Sequence, residues 1–155
     1  MALAGLSTLG VTFGYGTEGT AGTKPAAFTQ LTRINQIGAI SLENQQIDAS
    51  ALEDLVTKNI AGRADTPGNV GVTINLTDDT KSEWETLITT YKALTGGKQM
   101  WFEIIIPNMT ESYFFIAQPP QEIPSPEMGQ NELLTVEITL TIVDVKAFDT
   151  KVSFS

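Results

Sequence analysis

The chain has 155 residues and is 41% hydrophobic, which is enough apolar material for one folded domain with its own core. It contains no cysteine and no histidine, so disulfides, thiolate metal sites, a cysteine nucleophile and a Ser-His-Asp triad are excluded. The net charge of −9 predicts a soluble protein that does not hold nucleic acid. No segment has the roughly 18 consecutive apolar residues of a membrane span, and the N-terminal sequence lacks the basic region of a signal peptide.

The N-terminal residues 1–24 are rich in Gly, Thr and Ala and show little periodicity. We predict a flexible N-terminal arm over residues 1–25, of the kind that a neighbouring subunit orders, and one β domain over residues 26–155. Gly14 to Gly19 match the pattern G-x-G-x-x-G, but Pro25 and the Gly-Thr residues before it oppose the helix that a dinucleotide site requires. We therefore expect no nucleotide site and no cofactor.

The residues between this arm and the helix carry strand and loop patterns. Residues 28–42 (FTQLTRINQIGAISL) predict one or two strands with a kink at Gly38. Residues 44–69 are mostly polar and predict a loop, which ends in the turn sequence DTPGN, although residues 47–52 start with β character. In residues 70–76 (VGVTINL), apolar side chains alternate with small or polar ones, which is typical of a half-buried strand.

One amphipathic helix is predicted over about residues 80–95. Thr80 and Glu83 have the spacing of a capping box at its start, and Gly96-Gly97 would end it. Apolar residues at helical spacing form a single stripe, which we expect to be buried against a sheet rather than to bind a partner. The residues of this stripe are Trp84, Leu87, Ile88, Tyr91 and Leu94.

Three further segments follow the helix. Residues 100–106 (MWFEIII) and 112–118 (SYFFIAQ) predict a β-hairpin, and residues 119–132, with four prolines, predict an irregular loop. Residues 133–145 alternate strictly, which predicts a long strand with one dry and one wet face. The dry face holds Leu134, Val136, Ile138, Leu140 and Ile142, and the wet face holds Thr135, Glu137, Thr139 and Thr141. The fold class is therefore mainly β (α+β), an antiparallel β-sandwich or barrel with one flanking α-helix.

The order of these elements and three short motifs resemble the major tail proteins, or tail tube proteins, of long-tailed bacteriophages. Ile47-Asp48-Ala49-Ser50 corresponds to a recurring Ile-Asp-x-Thr/Ser run of that family. Residues 60–65 (IAGRAD) resemble the stretch before the family's Gly-x-Val-x-Val strand, which corresponds to residues 68–72 here. The resemblance covers residues 28–148 and does not extend to the Gly-rich N-terminal arm.

The resemblance implies a structural virion protein that assembles as hexameric rings, which stack into a hollow tail tube. Contractile tails and type VI secretion systems share this fold. The implied partners are further copies of the chain, the tape measure and other tail proteins, with phage DNA passing through the lumen without specific binding and with no membrane partner. The implied location is the virion, and the host cytoplasm during assembly.

Two sets of residues are candidate surfaces of such a ring. The polar face of the last strand would line the lumen, because a mildly acidic bore repels the phosphates that it conducts, although the same residues suit a face in bulk water. This set is Thr135, Glu137, Thr139 and Thr141. Contacts between rings would come from the N-terminal arm, the proline-rich loop and the polar loop. The candidate residues of the polar loop are Asp48, Arg63 and Asp65.

Two other functions are weighed against this interpretation. An enzyme would need carboxylate pairs such as Asp78-Asp79, but negative charge in the first turn of a helix is explained by the helix dipole. A carbohydrate- or host-binding β module of a phage tail would need an aromatic platform, for which Trp101, Tyr113 and Phe114 are the candidates. Trp101 lies in an Ile-rich strand, where a core position is the alternative. We expect no enzymatic activity and no metal site.

Overall fold

The computed structural model describes residues 9–41, 43–48, 51, 59–65 and 68–154, with only the backbone described for 43–48 and 59–65. Nine strands and one helix lie in these ranges. The elements before and including the helix are β1 (Thr12–Thr17), β2 (Thr29–Leu31), β3 (Ile34–Ile37), β4 (Glu43–Asp48), β5 (Asn59–Asp65), β6 (Asn69–Asn75) and α1 (Asp78–Lys92). The elements after it are β7 (Met100–Ile105), β8 (Glu111–Gln118) and β9 (Thr135–Thr150).

Seven of these strands form one antiparallel sheet in the order β2-β1-β7-β8-β9-β6-β3. The predicted hairpin is the β7–β8 pair, in which Phe102 lies opposite Phe115. The long alternating segment is β9, which pairs with β8 on one side and β6 on the other. The prediction of a mainly β fold with one helix is confirmed.

The two edge strands of this sheet, β2 and β3, are joined by Thr32 and Arg33 alone. Consecutive Cα atoms are ~3.8 Å apart, so a link of this length holds the ends of the edge strands within about 11 Å of each other. The sheet therefore curls until its edges meet at this corner. Arg33 has a φ of 57°, a left-handed conformation within the tight link. The curl turns one face of the sheet inward, which we call the core face, and the other outward, which we call the outer face.

The helix begins two residues earlier than predicted and has a different N-cap. It also ends earlier, at Lys92 with Ala93 as the C-cap, so Gly96-Gly97 does not end it. Thr77 is the N-cap, because its hydroxyl accepts from the Thr80 amide and the Thr80 hydroxyl accepts from the Thr77 amide. The predicted Thr80/Glu83 box is therefore wrong. Glu83 instead accepts from the amide (3.0 Å) and the hydroxyl (2.6 Å) of Thr32, which ties the helix to the β2–β3 corner.

The helix covers the core face of the sheet. Trp84, Leu87 and Ile88 are buried, and Tyr91 and Leu94 pack at the margin of the same core. Three stacked rings form the centre of the core under β1, β7 and β8, namely Phe13, Phe102 and Phe115. Burying a large apolar side chain stabilises the fold by roughly 1.5–3 kcal/mol as an upper bound, so this face supplies most of the folding free energy.

Strand β1 lies inside the segment predicted as a flexible arm. It pairs with β2 and with β7, and Phe13 is fully buried. The prediction was wrong for residues 12–17, because glycines at alternate positions hid a strand whose other side chains, Phe13 and Tyr15, belong to the core. The division of the chain into an arm and a domain stays a prediction elsewhere.

The polar segment predicted as a loop over residues 44–69 contains β4 and β5. These strands pair with each other in a separate antiparallel sheet of two strands, with Ile47 opposite Ile60. Strand β6 also begins at Asn69, within the same segment. The loop prediction was wrong here, because hydrogen bonding between two backbones does not require apolar side chains.

Candidate functional site on the outer face of the sheet

The alternation of β9 divides its side chains between the two faces. Val136, Ile138, Leu140 and Ile142 are buried in the core, whereas Glu137, Thr139 and Thr141 are exposed and Thr135 is half-buried. We call the set Thr135, Glu137, Thr139 and Thr141 the polar patch. Leu134 precedes β9 and is 40% exposed, so the dry face begins one alternation later than predicted.

The polar patch is continued by the outer face of β6. Thr73 lies opposite Glu137, and Gly71 lies opposite Thr139. The Glu137 side chain lies along the sheet over Gly71, since a Cβ on Gly71 would be 2.6 Å from Glu137 Oε1. This glycine therefore leaves room for a carboxylate that lies flat. The result is a surface of hydroxyl groups with one carboxylate and no basic side chain among the four patch residues.

The other end of the outer face is apolar and covered. Phe28, Trp101, Phe114 and Ile116 form a second buried group, which we call the aromatic cluster. The C-terminal segment, residues 151–154, packs over it with Val152 and Phe154. A bridge between Phe28 and Phe154 joins this segment to the chain before β2.

Two glycines of β1 make room for this cover. A Cβ on Gly14 would collide with the Phe154 ring and lie 2.5 Å from the Thr29 carbonyl oxygen. A Cβ on Gly16 would lie 2.6 Å from the Ala27 carbonyl oxygen. Both glycines belong to the G-x-G-x-x-G match, so in this fold they serve close packing within a strand.

A carboxylate, Glu103, is fully buried beneath the C-terminal segment. Its Oε2 atom accepts a hydrogen bond of 3.0 Å from the Val152 amide. Within the described residues, no hydrogen bond of good geometry reaches the buried Glu103 Oε1 atom or the buried Ser112 hydroxyl. Burial raises the pKa of Glu103, against the opposing effects of the Val152 amide, the neighbouring Ser112 side chain and the charges of Lys24 and Lys151.

Lys24 fastens the segment before β2 to the end of β9. Its ammonium donates to the Thr150 carbonyl oxygen at 2.7 Å and to Asp149 at 3.4 Å, and it lies 4.2 Å from the centre of the Phe114 ring. The Thr150 amide and Lys24 lower the pKa of Asp149. The aromatic cluster is thus covered by the C-terminal segment and contacted by Lys24 from the segment before β2.

A second buried acid, Glu18, fixes the opposite end of β1. Its carboxylate accepts from the Gln99 amide at 2.7 Å and from Trp101 Nε1 at 3.1 Å. Sequence reasoning missed Glu18, Glu103 and the C-terminal cover. The available signals were a single acid within the apolar run 100–106 and the alternating apolar residues Val152 and Phe154.

The candidate ring-contact residues lie on the two-stranded sheet. Asp48 ends β4 opposite Asn59, and Asp65 ends β5 opposite Glu43. Since a strand rises ~3.3 Å per residue, these two residues lie at opposite ends of the sheet, about 17 Å apart along it. Arg63 lies in β5 near an irregularity in the pairing. The structure therefore distributes the three residues along the β4–β5 sheet rather than gathering them.

The residues considered for other functions have structural roles. Trp101 and Phe114 are buried, so the proposed aromatic platform with Tyr113 is not an exposed surface. Asp78 and Asp79 lie in the first turn of α1, where the helix dipole favours negative charge. Among the described residues, no group of three or more acidic side chains is placed to hold a metal ion. Within the same ranges, no helix is long and apolar enough to cross a membrane.

No protein-family model matches the chain, and no curated protein matches its sequence. A chain in the cryo-EM structure of the anti-feeding prophage tube-terminating cap is 13% identical over 97% of this chain and 95% of its own length, with a TM-score of 0.66. A chain in the 6-fold symmetrised baseplate of the same particle is 14% identical over 94% and 96%, with a TM-score of 0.58. A chain in the sheath-tube complex of an extracellular contractile injection system is 12% identical over 96% and 93%, with a TM-score of 0.57. At these identities the likeness establishes a shared fold over nearly the whole chain.

Proposed function

We propose that the protein is a structural subunit of a phage tail or tail-like particle, which assembles with copies of itself into rings that stack as a hollow tube. The observation that carries the proposal is the fold shared, over more than nine-tenths of both chains, with chains in solved structures of such particles. The tail tube resemblance of the sequence supports the same role. The natural ring is hexameric in this proposal, and the protein has no enzymatic activity.

The polar patch is proposed as the lumen surface of the ring. Its exposed hydroxyl groups and the flat-lying Glu137 carboxylate form a smooth surface without cations. Neutralising phosphates with Lys or Arg is what holds DNA on a protein, so a surface of this composition conducts DNA without binding it. The net charge of −9 acts in the same direction.

The β4–β5 sheet is proposed as a contact between stacked rings, with Asp48, Arg63 and Asp65 along its length. A two-stranded ribbon separate from the main sheet is marginally stable alone, and burial against a neighbouring ring would stabilise it. The residues before β1 and the proline-rich loop contribute further contacts. The other partners are the tape measure and further tail proteins, and the location is the virion, with assembly in the host cytoplasm.

A subunit of a tube cap is the second candidate. The observation that favours it is the TM-score of 0.66 with a chain in the tube-terminating cap structure. A cap subunit forms a ring but does not continue the stack. A host-binding module loses its main support because Trp101 and Phe114 are buried.

Negative-stain microscopy of the full chain, imaged over a range of concentrations, tests the proposal. We expect rings and hollow tubes whose length grows with concentration. Rings that never stack support the cap candidate. Single particles of one chain at every concentration, with solution scattering that agrees, contradict both candidates.

The lumen assignment has its own test, because the chain contains no cysteine. Thr139→Cys supplies a single thiol in the polar patch, and Glu85→Cys supplies one on the exposed side of α1. In assembled tubes we expect a small maleimide to label both thiols and a maleimide on a bulky polymer to label only the second. Equal labelling of both by the bulky reagent contradicts the lumen assignment.

A further inference from the structure

An apolar groove of about 680 Å³ opens where the curled sheet brings β3 towards β1, β7 and β8. Its walls include Val11, Phe13, Ile34, Ile37, Ile104 and Tyr113. The Phe148 ring stands at its side, 48% exposed, and contacts Tyr113 edge-on with ring centres 5.2 Å apart. Among the described residues that line the groove, none carries a charge at neutral pH, since burial raises the pKa of Tyr113 further above its ordinary value. The groove therefore fits an uncharged, apolar occupant.

The chain before β1 joins the rest of the protein beside this groove. Val11 is part of the groove wall, and Gly10 lies in a turn with a φ of 85°, where an added Cβ would be 3.1 Å from Pro107. Leu9, one residue earlier, is 85% exposed. Residues 1–8 are thus attached within three residues of the groove wall, and eight residues in extended form span at most ~28 Å.

The composition of residues 1–8 matches the groove. The segment, MALAGLST, has no charged side chain and carries Met1, Leu3 and Leu6 among small residues. For comparison, 17% of all residues in the chain are charged. A short tether also raises the effective concentration of a segment at a nearby site to about millimolar, which favours the chain's own segment over that of another copy.

We propose that residues 1–8 occupy the apolar groove of their own chain in the free subunit. The groove walls that this segment would cover include Ile34, Ile37 and Ile104. The inference goes beyond the proposed function and does not rest on it, since it concerns the dilute monomer. It gives residues 1–8 a site on their own subunit before any neighbour is present.

Disulfide trapping tests this proposal, because the chain has no thiol of its own. The test variant carries Leu3→Cys with Ile40→Cys, a groove-lining residue outside the strands. The control carries Leu3→Cys with Glu122→Cys, which lies beside the helix and away from the groove. Both are oxidised at micromolar protein concentration and separated on a non-reducing gel.

We expect the test variant to form a disulfide within one chain at least about tenfold faster than the control, as an effective concentration near millimolar implies. Disulfide-linked dimers of the test variant would show that a second copy supplies the segment, which overturns the proposal. Equal rates in the test and control variants would overturn it as well.

Peptide binding provides a second readout that needs no groove mutation. A labelled peptide of residues 1–8 is titrated into the full chain and into a variant that lacks residues 2–8. We expect it to bind the shortened chain about tenfold more tightly, because the tethered segment competes at millimolar effective concentration. The same peptide with Leu3→Asp and Leu6→Asp is the control and should bind neither chain. Equal binding to both chains, or to neither, would contradict the proposal.

Discussion

The two faces of the main sheet are built by the same strands but have different tasks. On the core face, β9 contributes Val136, Ile138 and Leu140 to a continuous apolar core beneath α1. On the outer face, the same strand contributes Glu137 and Thr139, which are exposed. Strand alternation therefore lets one segment supply folding free energy on one side and a free surface on the other. Substitutions at adjacent positions of β9 should therefore separate the stability of the fold from the proposed assembly.

The outer face is itself divided. Its β1–β7–β8 end is sealed by the C-terminal segment over the aromatic cluster, and its β6–β9 end is open and polar. The open end holds the exposed polar patch that is proposed as the lumen surface. The sealed end contains the buried acid Glu103, so we expect pH to affect stability there.

The largest expected effect on stability comes from comparing substitutions on the two faces at neighbouring positions of β9. Leu140→Asp places an unpaired charge in the core and removes apolar contacts, which costs more than about 4 kcal/mol and prevents folding. Thr139→Asp on the outer face costs less than about 1 kcal/mol. Circular dichroism melting curves measure both. A Leu140→Asp protein with the melting temperature of the natural chain would show that the face assignment is wrong.

The next largest effect is expected from a substitution at the sealed end of the outer face. Gly14→Ala introduces a Cβ into the space filled by the Phe154 ring and the Thr29 carbonyl oxygen, so the C-terminal segment must move. We expect a loss of about 1–3 kcal/mol in the free energy of unfolding by urea. Gly19→Ala is the control, because nothing lies within 4 Å of its added Cβ and stability should not fall. Equal stability of both variants would argue against close packing at Gly14.

Glu103 gives the same region a pH dependence. Because burial raises its pKa, the folded protein binds the proton more tightly than the unfolded chain does. The favourable contribution of Glu103 to the free energy of unfolding is therefore present below the pKa of the unfolded chain, and it is lost as pH rises through the pKa of the folded protein. Glu103→Gln keeps an acceptor for the Val152 amide without the charge, and should be more stable than the natural chain by about 1–2 kcal/mol at neutral pH.

The stability gain of Glu103→Gln should disappear in acid, where the natural side chain is also neutral. Melting temperatures measured from acid to neutral pH provide the comparison. Glu122→Gln, the same change on an exposed loop residue, should show no such trend. A gain for Glu103→Gln that is equal at every pH would contradict the assignment.

The smallest effect concerns how the helix is held on the core face. Glu83→Ala removes the acceptor of the Thr32 amide and hydroxyl, and we expect a loss of about 1 kcal/mol. Glu85→Ala removes only an exposed pair with Lys81 at 3.3 Å, which should cost under about 0.5 kcal/mol. Urea unfolding of both variants measures the difference. A larger loss for Glu85→Ala would indicate that the β2–β3 corner does not depend on Glu83.

The elements that the sequence predicted are those with their own periodicity. The helix and strands β6 to β9 carry patterns of period 3.6 or 2 that a core on one face imposes. Strand β1 was missed because its glycines, Gly14 and Gly16, leave space for Phe154 and for the Ala27 carbonyl oxygen. Local sequence does not reveal these contacts. Strands β4 and β5 were missed because their polar sequence carries no core signal. The polar patch was predicted from alternation alone, whereas the aromatic cluster and the groove arise only from the tertiary curl of the sheet.

A cryo-EM reconstruction of the full chain after assembly tests the proposed function. We expect stacked rings around an open channel, with Glu137, Thr139 and Thr141 on the channel wall and the β4–β5 sheet between successive rings, as that function requires. An assembly whose channel wall is formed by other residues, or a protein that stays a single chain at every concentration, would contradict it.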